Sequence, residues 1–383
     1  MRILHVVPTY LPAVRYGGTI HSVHGLCRAQ ARAGHDVTVV TTNVDGPGDS
    51  SVPLDRPVLV DGVRVRYCRS RVLRRLYFSL PLARTLDAAT PRADIVHVHS
   101  VFLWPTLVAT WAARRYRVPY VLSPRGMLVR DLIERRSTRI KRAWIALFER
   151  RNVGRAAAVH CTSELELAEL LALRFHPRAS FVVPNGVDLG TGAAPSAVPA
   201  DAPIVYLGRI SWKKGLDRLI ASLSELPRAR LVIAGNDEEG LLPRLRALAQ
   251  AAGVAERVQF AGYVEGEAKQ ALLRQAAVTV LPSVSENFGN AVLEAMAQGC
   301  PVVVTPAVGL AADVQASGAG IVATGDPPAL ARAIRAFTEE PGRRATAGAA
   351  ALALVRERYG WGRVAAAMAA RYEELVRASG RRA

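Results

Sequence analysis

Between Ser283 and Thr305 the chain reads SVSENFGNAVLEAMAQGCPVVVT, which leaves little choice of local structure. The apolar run before it, Val278 to Leu281, predicts a buried strand that feeds a turn of small and polar residues. A helix is predicted over Gly289–Gln298, Gly299 stops it, and Pro301–Thr305 supplies the next strand. A strand–helix–strand order of this length joins parallel strands, so the chain carries a parallel α/β sheet. In such sheets ligands sit beyond the carboxyl ends of the strands, where helices begin. Two carboxylates flank that junction, Glu286 in the turn and Glu294 about one and a half turns into the helix. Between them lies Asn287, and the amides of Phe288, Gly289 and Asn290 stand at a helix start, where N–H groups lack intrahelical partners and suit a phosphate. The plainer alternative is a capped amphipathic core helix with incidental acids.

The stretch Glu286-Asn-Phe-Gly-Asn-Ala-Val-Leu-Glu294 resembles the glutamate-x7-glutamate motif of retaining GT-B glycosyltransferases of family 4, the group 1 glycosyltransferases. A second segment, Gly208-Arg209-Ile-Ser-Trp-Lys-Lys214-Gly215 after the strand Ile204–Leu207, is similar to the Gly-Arg…Lys-Gly motif of the same family. The resemblance implies that Arg209 and Lys214 hold the diphosphate of a nucleotide-sugar donor, with Gly208 beside them. Glu286 would bind the sugar hydroxyls, Glu294 the ribose, and the turn from Asn287 to Asn290 the phosphates. The chemistry is consistent with this: breaking a glycosyl–phosphate bond leaves negative charge on the leaving group, which arginine meets as a fork and lysine as a point charge. A basic turn on a solvated edge is the bland alternative for Arg209 and Lys214. Lys213 stands next to Lys214 in a register that makes it the poorer ligand.

The chain has 383 residues, enough for two domains, and half are hydrophobic. Membrane spans are not expected, because no apolar run is long enough. Met1 to Val7 runs into strand pattern and then Pro8, too short for a signal-peptide core, so the expectation is a cytoplasmic protein. Cys27, Cys68, Cys161 and Cys300 are widely spaced in apolar patterns and read as buried thiols without metal-binding spacing. The formal charge is +18, which calls for a polyanionic partner: nucleic acid, an anionic bilayer or a phosphorylated substrate. No nucleic-acid-binding motif supports the first of these.

The first half opens with a strand at Arg2–Val7, a loop carrying Gly17 and Gly18, a helix over Thr19–Ala33 and a strand at His35–Thr41. This opening resembles the start of a GT-B amino-terminal domain, where paired glycines let backbone approach the donor phosphate or the acceptor; a plain tight turn is the alternative. Val72–Leu86 reads as a basic helix, and Asp94–Ser100 as a strand ending in His97 and His99. Two histidines two apart on one strand share a face. A metal centre needs a third ligand, and none is apparent beside them, so no metal is assigned. His99, nearer the carboxyl end, is placed on the acceptor side, with His97 buried. Pro124-Arg-Gly-Met-Leu128 follows the strand Tyr120–Ser123. Many relatives carry a histidine near the place of Arg125, and the Ser-Pro-Arg-Gly-Met form looks like the branch that builds bacterial exopolysaccharide or O-antigen. Arg125 is accordingly placed on the acceptor side, with a structural arginine holding loop carbonyls as the alternative. Arg130 to Arg155 is dense in arginine with Trp144, Ile145, Leu147 and Phe148 interleaved, a face able to dock on anionic headgroups beside a lipid-linked acceptor.

Val182 to Asp188 resembles the interdomain turn of the family, and Leu189–Asp201 is a Gly/Ala/Pro-rich linker. The expected division is 1–188 for an acceptor domain, 189–201 for the linker, 202–360 for a nucleotide-sugar domain and 361–383 for a helix returning to the first domain. In the family the strand ends of this half border the nucleobase, so the resemblance places the base near Tyr263, at the end of the strand Val258–Gly262. The whole implies a GT-B fold, two Rossmann-like doubly wound α/β domains facing a cleft, with a carboxyl-terminal cross-over helix. The implied reaction transfers a sugar to a hydroxyl of a glycan or lipid-linked acceptor with the anomeric configuration kept, through an oxocarbenium-like transition state. Arginine and lysine take the place of a metal, so no cofactor is required. A phosphorylase using free phosphate, and a non-catalytic basic scaffold of a polysaccharide assembly complex, are the rival classes.

Overall fold

Short β-branched runs alternate with helical spacings along the chain, and in the computed structural model the central runs of each sheet form buried strands. The structure describes residues 1–13, 17–135, 138–189, 199 and 201–381. Apart from 189, 199 and 201, the expected linker over 189–201 lies outside them. The chain divides into two units, Met1–Gly186 with Trp361–Ala383, and Val187–Gly360.

The first unit holds β1 (Arg2–Val6), β2 (Asp36–Thr42), a small hairpin of β3 (Val44–Asp45) and β4 (Gly48–Asp49), β5 (Pro57–Val60), β6 (Val63–Cys68), β7 (Ile95–His99), β8 (Tyr120–Ser123), β9 (Ala158–Cys161) and β10 (Ser180–Val182). Eight of these form one sheet in the order β10-β9-β8-β7-β1-β2-β6-β5, parallel except where β5 meets β6. The chain leaves β1 toward β2 and later crosses to β7 on the other side, so the topological switch lies between β1 and β7. Around the sheet run α1 (Gly18–Arg32), α2 (Leu80–Ala89), α3 (Trp104–Arg115), α4 (Arg130–Arg135), α5 (Thr138–Trp144), α6 (Arg150–Arg155) and α7 (Glu164–Ala172).

The second unit has β11 (Ile204–Leu207), β12 (Leu231–Ala234), β13 (Val258–Gly262), β14 (Val278–Leu281), β15 (Val302–Val304) and β16 (Gly320–Val322). They form an all-parallel sheet in the order β13-β12-β11-β14-β15-β16, with its switch between β11 and β14. Its helices are α8 (Leu216–Ser222), α9 (Leu242–Ala251), α10 (Gly266–Arg274), α11 (Asn290–Ala297), α12 (Ala311–Ser317), α13 (Pro327–Thr338) and α14 (Pro341–Leu354). One core fills this unit, from Ile204 and Val278 on the strands to Val292, Ile334 and Tyr359 on the covering helices and turns.

The last helix, α15 (Trp361–Ala378), belongs to the first unit. It lays Val364, Met368, Tyr372 and Val376 against Ile3, Ile95 and Val121 of the sheet. Each such side chain contributes roughly 1.5–3 kcal/mol on burial. Trp361 opens the helix by lying flat on two glycines. A Cβ on Gly25 would come 2.2 Å from the indole, and one on Gly186 2.5 Å.

The basic helix expected over Val72–Leu86 is a correction. A 3-10 turn, Arg74–Leu76, stands there instead, flanked by Leu73 and Tyr77 in left-handed conformation, and α2 starts only at Leu80. The signal was present: Ser79 accepts from the Leu82 amide as an N-cap, and Pro81 suits a first turn, not a helix interior. Arg130–Arg155 is likewise three short helices joined through a π-turn at Ile145–Glu149, with 136, 137 and several side chains outside the described residues. Among the described residues no helix is long and apolar enough to cross a membrane.

Candidate active site

The second unit builds its site at the switch between β11 and β14. After β11 the chain makes a 3-10 turn, Trp212–Lys214, ended by Gly215 at φ 65°. After β14 it makes the turn holding Glu286. The two turns are tied together by the Val284 amide donating to the Lys213 carbonyl at 2.8 Å. Glu286 is held further by its amide donating to the Ala307 carbonyl at 2.9 Å and its carbonyl accepting from Gly309 at 3.0 Å. This frame brings Lys214 Nζ onto the Glu286 carboxylate as an ion pair, with side chains 11 % and 19 % exposed.

Burial alone would raise the Glu286 pKa. The Lys214 charge and hydrogen bond, with Lys213 and Arg209 behind it, outweigh that and hold the carboxyl below its ordinary value. Glu286 is therefore ionised at neutral pH, an acceptor for hydroxyl groups and not a proton donor. Burial also lowers the Lys213 pKa, with Glu286 opposing and Lys214 adding to the effect. Tyr206 lies beneath, its hydroxyl donating to the Arg209 carbonyl at 2.7 Å.

Gly208 leaves β11 at φ 146°, and Arg209 follows, half-exposed. Its guanidinium pairs with Glu238 at 2.8 Å, while Glu239 accepts from the Trp212 amide at 3.0 Å. Sequence patterns gave no hint of this acidic cover. It lies in the loop after β12, where Asp237 is fixed by accepting from the Leu241 and Leu242 amides.

Gly289 caps α11 at φ 105°, a conformation only glycine takes readily, and a Cβ there would press on Val308 at 3.0 Å. No side chain caps this helix start. Asn287 and Asn290 are half-buried beside it. The Phe288 side chain turns into the core and meets Tyr359 edge-on, so only its backbone can serve a ligand. Glu294 projects from α11 to Lys269 of α10 at 2.9 Å, a partner absent from the sequence-based assignment. Tyr263 stands 44 % exposed past β13, and burial, Glu265 and Glu294 together push its hydroxyl pKa up. Glu286, Lys214, Arg209 and the α11 start are thus gathered at one switch point, with Glu294 further along α11 and Tyr263 past the end of β13.

The first unit carries a second polar constellation at its own switch. His5 of β1 pairs in register with His97 of β7, and His99 lies at the end of that strand. The ligating atoms of His5, His97 and His99 lie within 4.8 Å of one another, so the third histidine that the sequence did not disclose is present. It was hidden because strand neighbours are set by sheet order, which a spacing rule along the chain does not see. The hydrogen bonds leave a metal no free lone pair. Arg125 donates to His99 Nδ1 (Nε at 3.3 Å and Nη2 at 3.2 Å), so His99 carries its proton on Nε2 and donates to His5 Nδ1 at 2.9 Å. His5 then donates through Nε2 to Gln30 at 2.8 Å. A second chain runs from the Tyr372 hydroxyl to His97 Nδ1 at 2.5 Å and from His97 Nε2 to Ser123 Oγ at 2.7 Å. It continues to His160 Nδ1 at 2.6 Å and ends at the Val183 carbonyl, 2.8 Å from His160 Nε2. All four histidines are neutral Nε2–H tautomers.

His99 is 1 % exposed and both its ring nitrogens are engaged, which corrects its placement against the acceptor: it supports Arg125 instead. Gly17 precedes α1 at φ 69° and Gly18 is its first residue.

Two Rossmann-like units of this topology define the GT-B class of transferases. Residues 17–186 match the profile of the glycosyl transferase 4-like domain, and residues 196–353 that of glycosyl transferases group 1. The D-inositol 3-phosphate glycosyltransferase of Xylanimonas cellulosilytica is 30 % identical over 98 % of this chain and 96 % of its own. The GDP-mannose:cellobiosyl-diphosphopolyprenol alpha-mannosyltransferase of Xanthomonas campestris is 30 % identical over 85 % of this chain and 84 % of its own. Among solved structures, sucrose-phosphate synthase from Thermosynechococcus elongatus superimposes with a TM-score of 0.80 at 23 % identity, covering 98 % of this chain and 99 % of that one. Anabaena HepE in complex with UDP and glucose does so with a TM-score of 0.77 at 20 % identity, covering 98 % and 100 %. The chain belongs to the group 1 glycosyltransferases.

Proposed function

We propose that the protein is a retaining hexosyltransferase of cell-surface polysaccharide synthesis, moving a sugar from a nucleotide donor, with UDP-sugar favoured, to a hydroxyl of a glycan or lipid-linked acceptor. The observation that carries this is the Lys214–Glu286 pair beside Arg209 at the β11/β14 switch. An ionised Glu286 binds the hydroxyls of the transferred sugar. Lys214, Arg209 and the α11 amides meet the charge that grows on the departing diphosphate, so no metal is needed for that task. No second carboxylate is assigned as nucleophile, and the leaving phosphate takes the proton of the attacking hydroxyl on the same face. Glu294 receives the ribose and Tyr263 borders the base. The glycines at 17 and 18 approach the donor phosphate or the acceptor, and Arg125 serves the acceptor. HepE was solved with UDP and with UDP-glucose, which favours a uridine donor, while the mannosyltransferase relative uses GDP-mannose and a diphosphopolyprenol-linked acceptor.

The same proposal gives residues 1–188 to the acceptor and 202–360 to the nucleotide sugar, with 189–201 as the linker. A peripheral position on the inner face of the cytoplasmic membrane is part of the same proposal. Between Arg130 and Arg155, Ile140 is 70 % exposed and Leu147 68 %, among arginines, a surface suited to anionic headgroups. Calorimetric titration with UDP, GDP, ADP and CMP, each with EDTA and with magnesium, tests the donor assignment. Tight binding of one nucleotide in EDTA is expected, and binding of none by the folded protein would remove the basis of the proposal. Proton NMR of the product's anomeric centre then decides retention.

A further inference from the structure

Arg125 is a cation that the fold orients without neutralising. It follows β8 in left-handed conformation, φ 57°, at the carboxyl end of the sheet beside the β1/β7 switch. There the doubly wound topology leaves a crevice for ligands. Its Nε and Nη2 donate to His99 Nδ1, and Nη1 donates to Asn185 Oδ1 at 2.8 Å. Each terminal nitrogen keeps one N–H beyond these bonds. Among the described residues no carboxylate lies within ion-pair distance of the guanidinium. Glu166 acts on it from further off, but its oxygens accept from the Gly126 amide, the Thr162 amide and the Thr162 hydroxyl.

A cation drawn out of water is ordinarily met by an acid. Here the place of the acid is taken by the chain His99–His5–Gln30. Its direction is fixed: Arg125 donates in, and each imidazole passes one N–H inward to the next acceptor. A neutral acceptor holds the fork in position yet leaves its full positive charge for something else. Burial of the chain, which keeps the imidazoles uncharged, completes this arrangement.

We propose that Arg125 is an oxyanion subsite that binds a phosphate or carboxylate group carried by the acceptor, with His99 and His5 as positioning residues. Only the word acceptor rests on the transferase assignment; oxyanion binding itself does not. The test therefore uses no nucleotide. Arg209→Gln serves as the background, to remove an exposed cation of the other unit. That full-length variant is titrated calorimetrically with methyl phosphate, with glucuronate and, as a neutral control, with methyl glucoside. One oxyanion is expected to bind where the glucoside does not, and methyl phosphate or glucuronate as the stronger ligand tells a phosphorylated from an acidic-sugar acceptor. Adding Arg125→Gln is expected to weaken that binding by about tenfold or more, and Arg125→Lys by less. Equal affinity with and without Arg125→Gln overturns the proposal, as does absence of binding of both oxyanions to the folded background protein. Should Arg125→Gln fail to fold, the side-chain Nε resonance of Arg125 in the native chain, assigned through Arg125→Lys, gives the answer. It must move on adding methyl phosphate or glucuronate, and a stationary resonance overturns the proposal. Nucleotide binding in the native chain is measured separately, so the transferase assignment stands or falls on its own.

Discussion

Lowering the pH from about 7.5 to about 5.5 should destabilise the first unit steeply, because its sheet buries four neutral histidines. Burial is the leading cause for each, and the positive field of Arg125 and of the neighbouring imidazoles adds to it for most of them. His5 is lowered to about 4 and His160 to about 3, and His97 and His99 also lie well below the ordinary histidine value. A histidine whose folded pKa is depressed contributes stability that is complete above its unfolded pKa, about 6.5, and is lost as pH falls toward the folded value. In that window the unfolded chain takes up protons and the native one does not. The loss approaches ~1.4 kcal/mol per histidine per pH unit, so four histidines lose about 5 kcal/mol over the two units. That is comparable with the entire stability of many domains, about 5–15 kcal/mol.

Urea unfolding followed by tryptophan fluorescence suits the measurement, because Trp104, Trp111, Trp144 and Trp361 lie in the first unit and only Trp212 in the second. With a slope of about 2–3 kcal/mol per molar, the midpoint should fall by roughly 2 M. Exposed carboxylates scarcely titrate in this range, and Glu149, whose pKa burial raises, acts in the opposite direction, so the fall is a histidine effect. A midpoint that stays constant, or rises, between the two pH values would refute the assignment of neutral, directed chains. Nitrogen-15 correlation spectra at neutral pH give a second check: all four rings should show protonated Nε2 and bare Nδ1.

Glu286→Ala should abolish transfer and, by leaving buried Lys214 without its carboxylate, lower stability by roughly 3 kcal/mol with unfolding still cooperative; undiminished turnover would remove it from the site. Lys214→Met strips the charge that opposes burial at Glu286, so the carboxyl pKa should rise in a carbon-13 titration and stability should fall by roughly 3 kcal/mol, where an unmoved Glu286 would deny the pair any electrostatic role. Glu238→Gln frees Arg209 from an exposed pair and should tighten nucleotide binding by a few-fold at most, the limit set by solvent screening; weaker binding would mean that Glu238 helps to hold the ligand. Gly186→Ala drives a methyl into the Trp361 ring and should cost about 1–3 kcal/mol in the first unit, read from the same urea midpoint; a neutral effect would show that Trp361 repacks freely.

Where local pattern decides structure, the sequence was a sufficient guide. The run Val278–Leu281, the turn with Glu286 and the helix stopped by Gly299 form a β14–α11–β15 unit because apolar period, cap and stop signal agree. The sheet brought Lys214 next to Glu286 from 72 positions away, and only the resemblance of both segments to the motifs of one family pointed to a shared site. Three things were illegible for one reason, that they depend on sheet order or on side chains meeting across it. His5 joins His97 only because β1 lies beside β7. Glu238 covers Arg209 only because the β12 loop bends over β11, and Lys269 reaches Glu294 only because α10 lies near α11. Over Val72–Leu86 the reason is different: the apolar spacing is helical, but the capping chemistry of Ser79 and Pro81 sets the helix start at Leu80.

The two sheets use the same topological position for opposite electrostatics. At the β11/β14 switch a lysine is matched by a carboxylate within contact, and Arg209 by another, so the free site is nearly balanced in charge. A ligand diphosphate must then compete with acids already in place, which favours selectivity over raw affinity. At the β1/β7 switch no carboxylate among the described residues touches Arg125, and a directed histidine chain holds it as a standing positive charge. The depressed histidine pKa values and the unneutralised charge of Arg125 are then one design seen from two sides. Protonating the chain would put positive charge behind a guanidinium that needs an acceptor there, so anion binding at Arg125 and the stability of the first unit should both fail as acid reaches the histidines.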